Sequence, residues 1–194
     1  MEHYKETEKK QGEIIFLNGV SSAGKTTLSK TLQHKLATPY YWLAEDVFRD
    51  MTPEKFDNED SEENEQAWIN TIFGMYHTAR MYSDLGMNII IDTVTDDDLF
   101  LDKAVALLHD YPTLFVHVTC PLEEMQRREK ERGDRIIGLA EEQQPLLCPL
   151  DNTYDITVDT HNNTYEECAD KVMELLDCSG SFSAFKRLWL RCVK

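Results

Sequence analysis

The stretch GVSSAGKTT at residues 19–27 decides the fold of this chain. From Gly19 to Thr26 it fits the pattern G-x-x-x-x-G-K-[ST], which is the phosphate-binding P-loop. Gly19 and Gly24 permit backbone conformations that turn successive N–H groups inward, and the N-terminus of a following helix adds a favourable field for anions. In such a loop Lys25 reaches the β- and γ-phosphates, and the Thr26 hydroxyl ligates Mg²⁺. A Gly/Ser-rich turn without a ligand is the alternative.

The segments on either side of this loop supply the context that a P-loop requires. EIIFLN, residues 13–18, is a β-branched and aromatic run that predicts a strand, and TTLSKTLQHKLA, residues 26–37, has apolar or small residues at helical spacing. Because the motif stands between a predicted strand and a predicted helix, we expect it to bind a nucleoside triphosphate. The residues expected to contact the nucleotide phosphates are Gly19, Ser21, Ser22, Ala23, Gly24, Lys25, Thr26 and Thr27.

The rest of the chain continues to alternate strands with helices. Further strands are predicted wherever β-branched, aromatic and aliphatic residues cluster, and amphipathic segments lie between them. Strands that are apolar on both faces and separated by helices imply a parallel sheet covered on both sides, the α/β class. The further strand segments are YYWLA (40–44), MNIIIDTV (87–94), TLFVHVTC (113–120) and YDITVDT (154–160).

Composition and charge narrow the possible partners. Of the 194 residues 41% are hydrophobic and 29% charged, so we expect one globular domain over residues 1–194, with its core at about residues 13–177. The 36 acidic and 20 basic residues give a formal charge of −16, which argues against a nucleic-acid or anionic membrane partner because such binding depends on phosphate neutralisation. No apolar run approaches the roughly 20 residues of a membrane helix. Five cysteines without a C-x-x-C pair suit reduced thiols, so we expect a cytoplasmic protein.

Three segments stand apart from this core pattern. The acidic stretch from Asp57 to Glu65, within an insertion at about residues 54–65, predicts a solvated loop, and a movable cover over a second binding site is the alternative. Residues 67–86 predict a long amphipathic helix with Gly86 as its C′ residue. The tail at about residues 178–194 combines basic and aromatic residues, and predicts either a helix packed on the core or a homo-oligomer contact.

Asp92 is the expected partner of the P-loop at a metal ion. It ends the run NIIID, where a Walker B carboxylate belongs, so we expect Thr26 and Asp92 to hold Mg²⁺; a carboxylate that caps the next turn is the alternative. Many P-loop ATPases place a glutamate after this aspartate to activate water, whereas Thr93 follows it here and favours transfer to an acceptor. The chain has no N-K-x-D guanine-reading motif, so ATP is favoured over GTP.

The segment RREKERGDR, residues 127–135, predicts a closing clamp. Arg128 and Arg132 lie four residues apart and share a helix face, and Arg135 follows the hinge expected at Gly133. Arginine forks suit phosphate oxygens, and closing them over a nucleotide neutralises the charge that develops during transfer. We call residues 127–144 the lid. The alternative is a solvated helix end whose arginines are paired with Glu129, Glu131 and Asp134.

Asp46 follows the predicted strand YYWLA, at the carboxyl edge of the sheet where ligands of α/β proteins bind. A free aspartate has a pKa of about 3.9 and is a weak base at neutral pH, so its value lies in holding an acceptor hydroxyl and taking the proton late. Taken alone, Asp46 is better explained as the N-cap of a helix.

These motifs together resemble the chloramphenicol phosphotransferase family of P-loop kinases over most of residues 13–170. The SSAGK loop and the RGDR-x-x-G segment are the specific parts, supported by AEDVFRDM, IIIDTV and YDITVDTHNNTYEECA in matching order and spacing. The resemblance implies a five-stranded parallel sheet and transfer of the ATP γ-phosphoryl group to a hydroxyl of chloramphenicol. It also implies that Asp46 is the catalytic aspartate and that Lys25, Asp92, Arg128, Arg132 and Arg135 match functional positions.

Two departures from the family bear on the acceptor. Residues 54–70 are acidic with little similarity to the family's founding antibiotic enzyme, and the carboxylate after Asp92 is replaced by Thr93. We therefore expect an ATP- and Mg²⁺-dependent kinase of chloramphenicol or a similar hydroxylated small molecule. The alternatives are a kinase of a nucleoside or another hydroxylated metabolite, and a nucleotide-binding regulator. The aromatic residues Trp42, Trp68, Phe73 and Tyr76 either line an acceptor pocket or belong to the core.

Overall fold

A five-stranded parallel sheet forms the centre of the computed structural model, which describes residues 10–53, 61–132, 138–147, 153–178 and 182–192. The strands are β1 (Ile14–Asn18), β2 (Tyr40–Ala44), β3 (Asn88–Thr93), β4 (Thr113–Thr119) and β5 (Ile156–Asp159). The helices are α1 (Lys25–Lys35), α2 (Glu45–Arg49), α3 (Glu62–Asp84), α4 (Asp98–Leu108), α5 (Leu122–Arg132), α6 (Leu139–Leu147), α7 (Tyr165–Asp177) and α8 (Ala184–Cys192). The predicted strands and the parallel five-stranded α/β fold are confirmed.

The strand order is β2-β3-β1-β4-β5, so that β1 lies at the centre of the sheet with β3 and β4 on its two sides. From β1 the chain first builds β2 and β3 on one side of this strand, and it then crosses to β4 and β5 on the other side. This change of direction creates a crevice at the carboxyl edge of the sheet. The register places Leu17 and Ala44 beside Asp92, and Asn18 beside Thr93. The loop that follows β1 thus begins next to the carboxylate that ends β3.

The core covers both faces of the sheet, as the apolar strands predicted. Successive side chains of a strand point to opposite faces, and in β1 Ile15 and Leu17 join one buried cluster whereas Ile14 and Phe16 join the other. The first cluster packs against α1 and α7, and the second packs against α3, α4 and α8. This packing fixes the carboxyl edge from both sides.

The C-terminal tail contributes to the second cluster. Within α8, Ala184, Phe185 and Leu188 are buried, and the Trp189 ring stacks on His109 with ring centroids 4.3 Å apart. The described part of the tail is therefore a helix packed on the core, the first of the two arrangements expected for it. A homo-oligomer contact stays a prediction.

The acidic segment differs from the expectation in one respect. Its end is not loop, because Ser61 caps α3 by accepting a hydrogen bond from the Asn64 N–H, and α3 begins at Glu62. Glu62, Glu63 and Glu65 occupy the first turn, where negative charge is stabilised by the helix dipole. Residues 54–60 lie outside the described residues. At the other end Gly86 takes the predicted C′ position with φ 78°.

None of the helices in the part of the chain that the structure describes is both long and apolar enough to cross a membrane.

Candidate active site

A cavity of about 350 Å³ opens at the carboxyl edge of the sheet. It is lined by the P-loop and the start of α1, and by the ends of β2 and β3 together with α2. Side chains from α3, α5, α6 and α7 complete the wall. The cavity therefore lies at the crevice that the strand order creates.

The P-loop has a left-handed backbone at Gly24, one of the two glycines expected to turn the loop, whereas Gly19 does not have a positive φ. Ser22 and Gly24 have φ angles of 59° and 98°, in the left-handed region that turns N–H groups to one side. Gly24 also needs its hydrogen, since a Cβ there would lie 2.8 Å from the Tyr165 hydroxyl. Lys25 is buried, and its Nζ donates to the carbonyls of Gly19 at 2.7 Å and Val20 at 3.1 Å.

This cradle fits a polyphosphate. The Ser22 hydroxyl is buried and has no hydrogen-bond partner among the described residues, although it lies on the loop that encloses the cavity. A buried donor of this kind carries a desolvation cost that a ligand oxygen would remove. Lys25 and the αL backbone lie on the same loop, so the donors and the positive charge are in place for phosphate oxygens.

Thr26 and Asp92 meet as predicted. The Thr26 hydroxyl donates to Asp92 Oδ2 at 2.8 Å, although the two residues are 66 positions apart in the sequence. Both side chains offer oxygen ligands, which Mg²⁺ prefers. Mg²⁺ usually keeps several water ligands and also binds the phosphates of the substrate. Among the described residues no group of three or more His, Cys, Asp and Glu side chains is placed to hold a metal alone. The pair fits Mg²⁺ that shares its coordination with a bound nucleotide.

Asp46 lines the same cavity. It is in the first turn of α2, where Ala44 is the N-cap residue, so the alternative that Asp46 itself caps this helix is wrong. Arg49 lies one turn further on, with its Nη2 3.3 Å from Asp46 Oδ1. The structure thus brings Lys25, Thr26, Asp92 and Asp46 to one cavity.

Glu45 is a site residue that the sequence reasoning missed. Its Oε2 accepts hydrogen bonds from the Thr93 hydroxyl at 2.7 Å and from the Val94 N–H at 3.0 Å. Burial raises the pKa of Glu45, and these two donors together with nearby Lys25 oppose that shift. The sequence signal was the position of Glu45 directly after β2, at the carboxyl edge of the sheet.

Arg128 reaches the P-loop from α5. Its Nη1 lies 3.3 Å from the Ser22 carbonyl oxygen and 3.0 Å from the Thr160 hydroxyl, and its Nε donates to Glu124 at 2.7 Å. Hydrogen bonds from Arg127 and Arg128 lower the pKa of Glu124 to about 2. Among the described residues the acidic partner of Arg128 is therefore Glu124 and neither Glu129 nor Glu131, whereas Asp134 lies outside the described residues.

The other lid arginines are less fully described. Arg132 is the last residue of α5, and its side chain lies outside the described residues, as does the whole of Arg135. Glu129, one of the acidic residues that the alternative pairs with the arginines, is fully buried. Its two carboxylate oxygens accept the N–H groups of Gly138 and Ala140, each at 2.9 Å. Glu129 thus connects α5 to the start of α6.

Gln143 on α6 is a second residue that the sequence reasoning missed. Its Oε1 accepts the Ser21 N–H at 2.8 Å, and its Nε2 lies 3.1 Å from Asp96 Oδ2. The amide therefore bridges the P-loop and the segment after β3. No motif marked it, because its partners are 122 and 47 positions away in the sequence.

All four aromatic residues pack in or against the core, and one of them also lines the cavity. Tyr76 is fully buried in the second core cluster, and Trp68 and Phe73 pack against the same cluster. Trp42 packs against the first cluster. Trp68 is the residue of these four that also lines the cavity.

Comparisons with known proteins agree with this geometry. Residues 12–177 match the family model of chloramphenicol phosphotransferase-like proteins. A Mycobacterium tuberculosis protein that carries the provisional name O-phosphotransferase is 29% identical over 199 residues, which cover 92% of this chain and 88% of that protein.

Solved structures share the fold. The Mycobacterium tuberculosis APS kinase CysC, in complex with AMPPNP and APS, superposes with a TM-score of 0.65 at 18% identity, over 86% of this chain and 98% of that one. Shikimate kinase from Acinetobacter baumannii, in complex with shikimate, gives a TM-score of 0.62 at 16% identity, over 88% and 96%. At such identities the likeness concerns the fold.

Proposed function

The chain belongs to the chloramphenicol phosphotransferase-like family, and we propose that it transfers the γ-phosphoryl group of ATP to a hydroxyl of chloramphenicol or a similar small acceptor. It is a kinase-like phosphotransferase with the P-loop fold. One observation carries the finer proposal: a single cavity is lined both by Lys25, Thr26 and Asp92 and by Asp46. A nucleotide phosphate and an acceptor hydroxyl therefore have room to meet between them.

The nucleotide side is assigned to the P-loop. In this proposal the backbone N–H groups and the Ser22 hydroxyl bind phosphate oxygens, and Lys25 exchanges its bonds to Gly19 and Val20 for the β- and γ-phosphates. Thr26 and Asp92 hold Mg²⁺, Asp92 by way of the water shell. The metal ion, when bound, neutralises charge on the phosphates during transfer.

The acceptor side is assigned to Asp46. Its carboxylate orients the acceptor hydroxyl and receives the proton as the oxygen–phosphorus bond forms. Because the transition state of phosphoryl transfer is largely dissociative, positioning and charge neutralisation outweigh the base. We therefore expect Lys25→Ala to cost more activity than Asp46→Asn.

The lid is assigned to charge stabilisation. The contact between Arg128 Nη1 and the P-loop carbonyl of Ser22 supports this assignment. Arg132 and Arg135 are proposed to complete the clamp over the transferring group. Gln143 holds α6 against the same loop through the Ser21 N–H.

Hydrolysis without an acceptor is the second candidate, and a specific observation favours it. Thr93 lacks the carboxylate that activates water in many P-loop ATPases, yet Glu45 places a carboxylate oxygen 2.7 Å from the Thr93 hydroxyl. A nucleotide-binding regulator that hydrolyses ATP would use such a group. Hydrolysis in the absence of acceptor therefore has to be measured alongside transfer.

The experiment is ADP formation with Mg²⁺, with and without chloramphenicol, and then across a panel of nucleosides and other hydroxylated compounds. Wild type is compared with Lys25→Ala, Asp46→Asn and the matched control Asp50→Asn, an exposed carboxylate at the end of α2. The proposal expects turnover that depends on the acceptor, falls in Asp46→Asn and persists in Asp50→Asn. Equal turnover by wild type and Lys25→Ala would contradict the site, and turnover unaffected by any acceptor would favour the regulator.

A further inference from the structure

The helix that carries Asp46 has little of its own to hold it in place. α2 has only five residues, and its N-cap, Ala44, makes no side-chain hydrogen bond to the first turn. Within this fully described helix no residue is fully buried. Helices this short are unstable by themselves because nucleation is costly, and a missing cap removes a further contribution. The placement of Asp46 therefore depends on contacts from outside α2.

Phe48 supplies one of those contacts by packing against the second core cluster, and Glu45 supplies two hydrogen bonds. Glu45 is the first residue of α2, directly before Asp46, and its carboxylate accepts from both the Thr93 hydroxyl and the Val94 N–H. Thr93 ends β3 and is 1% exposed, and in the sheet it pairs with Asn18 of the central strand. Thr93, which donates one of these hydrogen bonds, is thus part of the buried core.

The bond between Glu45 and Thr93 joins the ends of two neighbouring strands. Thr93 is the last residue of β3, and Glu45 directly follows β2, which pairs with β3. A hydroxyl and a carboxylate form a charge-assisted hydrogen bond, which is stronger than a neutral one.

We propose that Glu45 is a positioning residue, which fastens the first turn of α2 to the end of β3 and so directs the Asp46 carboxylate to the acceptor hydroxyl. This inference rests on the proposed function, since it concerns how the acceptor is held. Displacements of about 1 Å at a reacting group cost on the order of 100-fold in rate. Glu45 acts through Asp46, and the two hydrogen bonds that hold it run to Thr93 and Val94 at the end of β3.

A double-mutant cycle tests that dependence. Glu45→Ala removes both hydrogen bonds, and we expect kcat to fall by roughly 10- to 100-fold while the KM for ATP changes by less than about twofold. In an Asp46→Asn background the same substitution is expected to change kcat by less than about twofold, since the group it positions is already gone. Glu45→Gln keeps an oxygen that accepts from Thr93 and Val94, and it is expected to retain most of the activity. Independent, multiplicative losses in the cycle would overturn the proposal.

Amide hydrogen exchange gives a second readout that needs no acceptor. The Asp50 N–H donates to the Asp46 carbonyl within α2, and the Val94 N–H donates to Glu45. In Glu45→Ala both amides are expected to exchange at least roughly tenfold faster, while α1 is unchanged. An unchanged Asp50 amide would overturn the anchor. If wild type transfers phosphate to no acceptor, the proposed function fails, and this exchange measurement alone decides whether Glu45 holds α2.

Discussion

Glu129→Ala tests how the lid is held. Glu129 is 0% exposed, and its oxygens accept the N–H groups of Gly138 and Ala140 at 2.9 Å each. These N–H groups belong to the start of α6, the helix whose Gln143 contacts the P-loop. The substitution leaves both N–H groups without this partner, so α6 is expected to separate from α5 more readily.

The size of the effect follows from the two bonds. A hydrogen bond to a charged group contributes about 1.5–3 kcal/mol, and a buried donor left unpaired costs a similar amount. Ala140 is buried and Gly138 is partly exposed, so water can replace only part of the loss. We expect opening of α6 to become easier by about 2–4 kcal/mol, which corresponds to roughly 30- to 1,000-fold in the opening equilibrium.

Amide exchange at residues 138–147, followed by mass spectrometry or NMR, measures this opening. The matched control is Glu131→Ala on the same helix: Glu131 is 62% exposed and pairs with Arg127, and exposed ion pairs contribute about 0–1 kcal/mol. We expect much faster exchange in α6 for Glu129→Ala and little change for Glu131→Ala. Equal exchange in the two variants would refute the reasoning.

Three further substitutions or treatments have defined outcomes. A Cβ at Gly19 would lie 2.2 Å from the Val118 carbonyl oxygen, so Gly19→Ala is expected to lower the melting temperature by about 5 °C or more; an unchanged value would contradict this packing. Gly24→Ala forces a side chain into φ 98°, and calorimetry is expected to show at least roughly tenfold weaker binding of ATP. Burial raises the pKa of the Cys168 thiol, which lowers its thiolate fraction at neutral pH. Iodoacetamide should therefore modify the exposed Cys178 before the buried Cys168, as peptide mass spectrometry would show. Equal rates of modification at these two cysteines would contradict the burial of Cys168.

The parts of the site predicted from the sequence are those that local patterns determine. The P-loop follows from residue types at fixed spacing, and the Thr26–Asp92 contact follows because parallel strands bring their carboxyl ends to one edge. The strands are likewise predicted by local patterns, because each one is a short apolar run. These features depend on short segments and on a topology that the alternation of strands and helices already implied.

The remaining parts depend on pairings through space that no short pattern encodes. Glu45 is 48 positions from Thr93, and Gln143 is 122 positions from Ser21. In the sequence Glu129 is one of several charged residues of a helix predicted to be solvated. In the fold it is buried between α5 and the start of α6, where it accepts the Ala140 N–H. Such contacts are specified by the folded structure, so the charge pattern of the helix alone does not reveal them.

The most direct test of the central claim follows the γ-phosphoryl group itself. Purified protein is incubated with Mg²⁺-ATP and chloramphenicol, or another acceptor that raises turnover, and ³¹P NMR distinguishes a phosphate monoester from inorganic phosphate. The account expects a monoester signal that grows in step with ADP and disappears in Lys25→Ala. ADP accompanied only by inorganic phosphate, at the same rate with and without every acceptor, would contradict it.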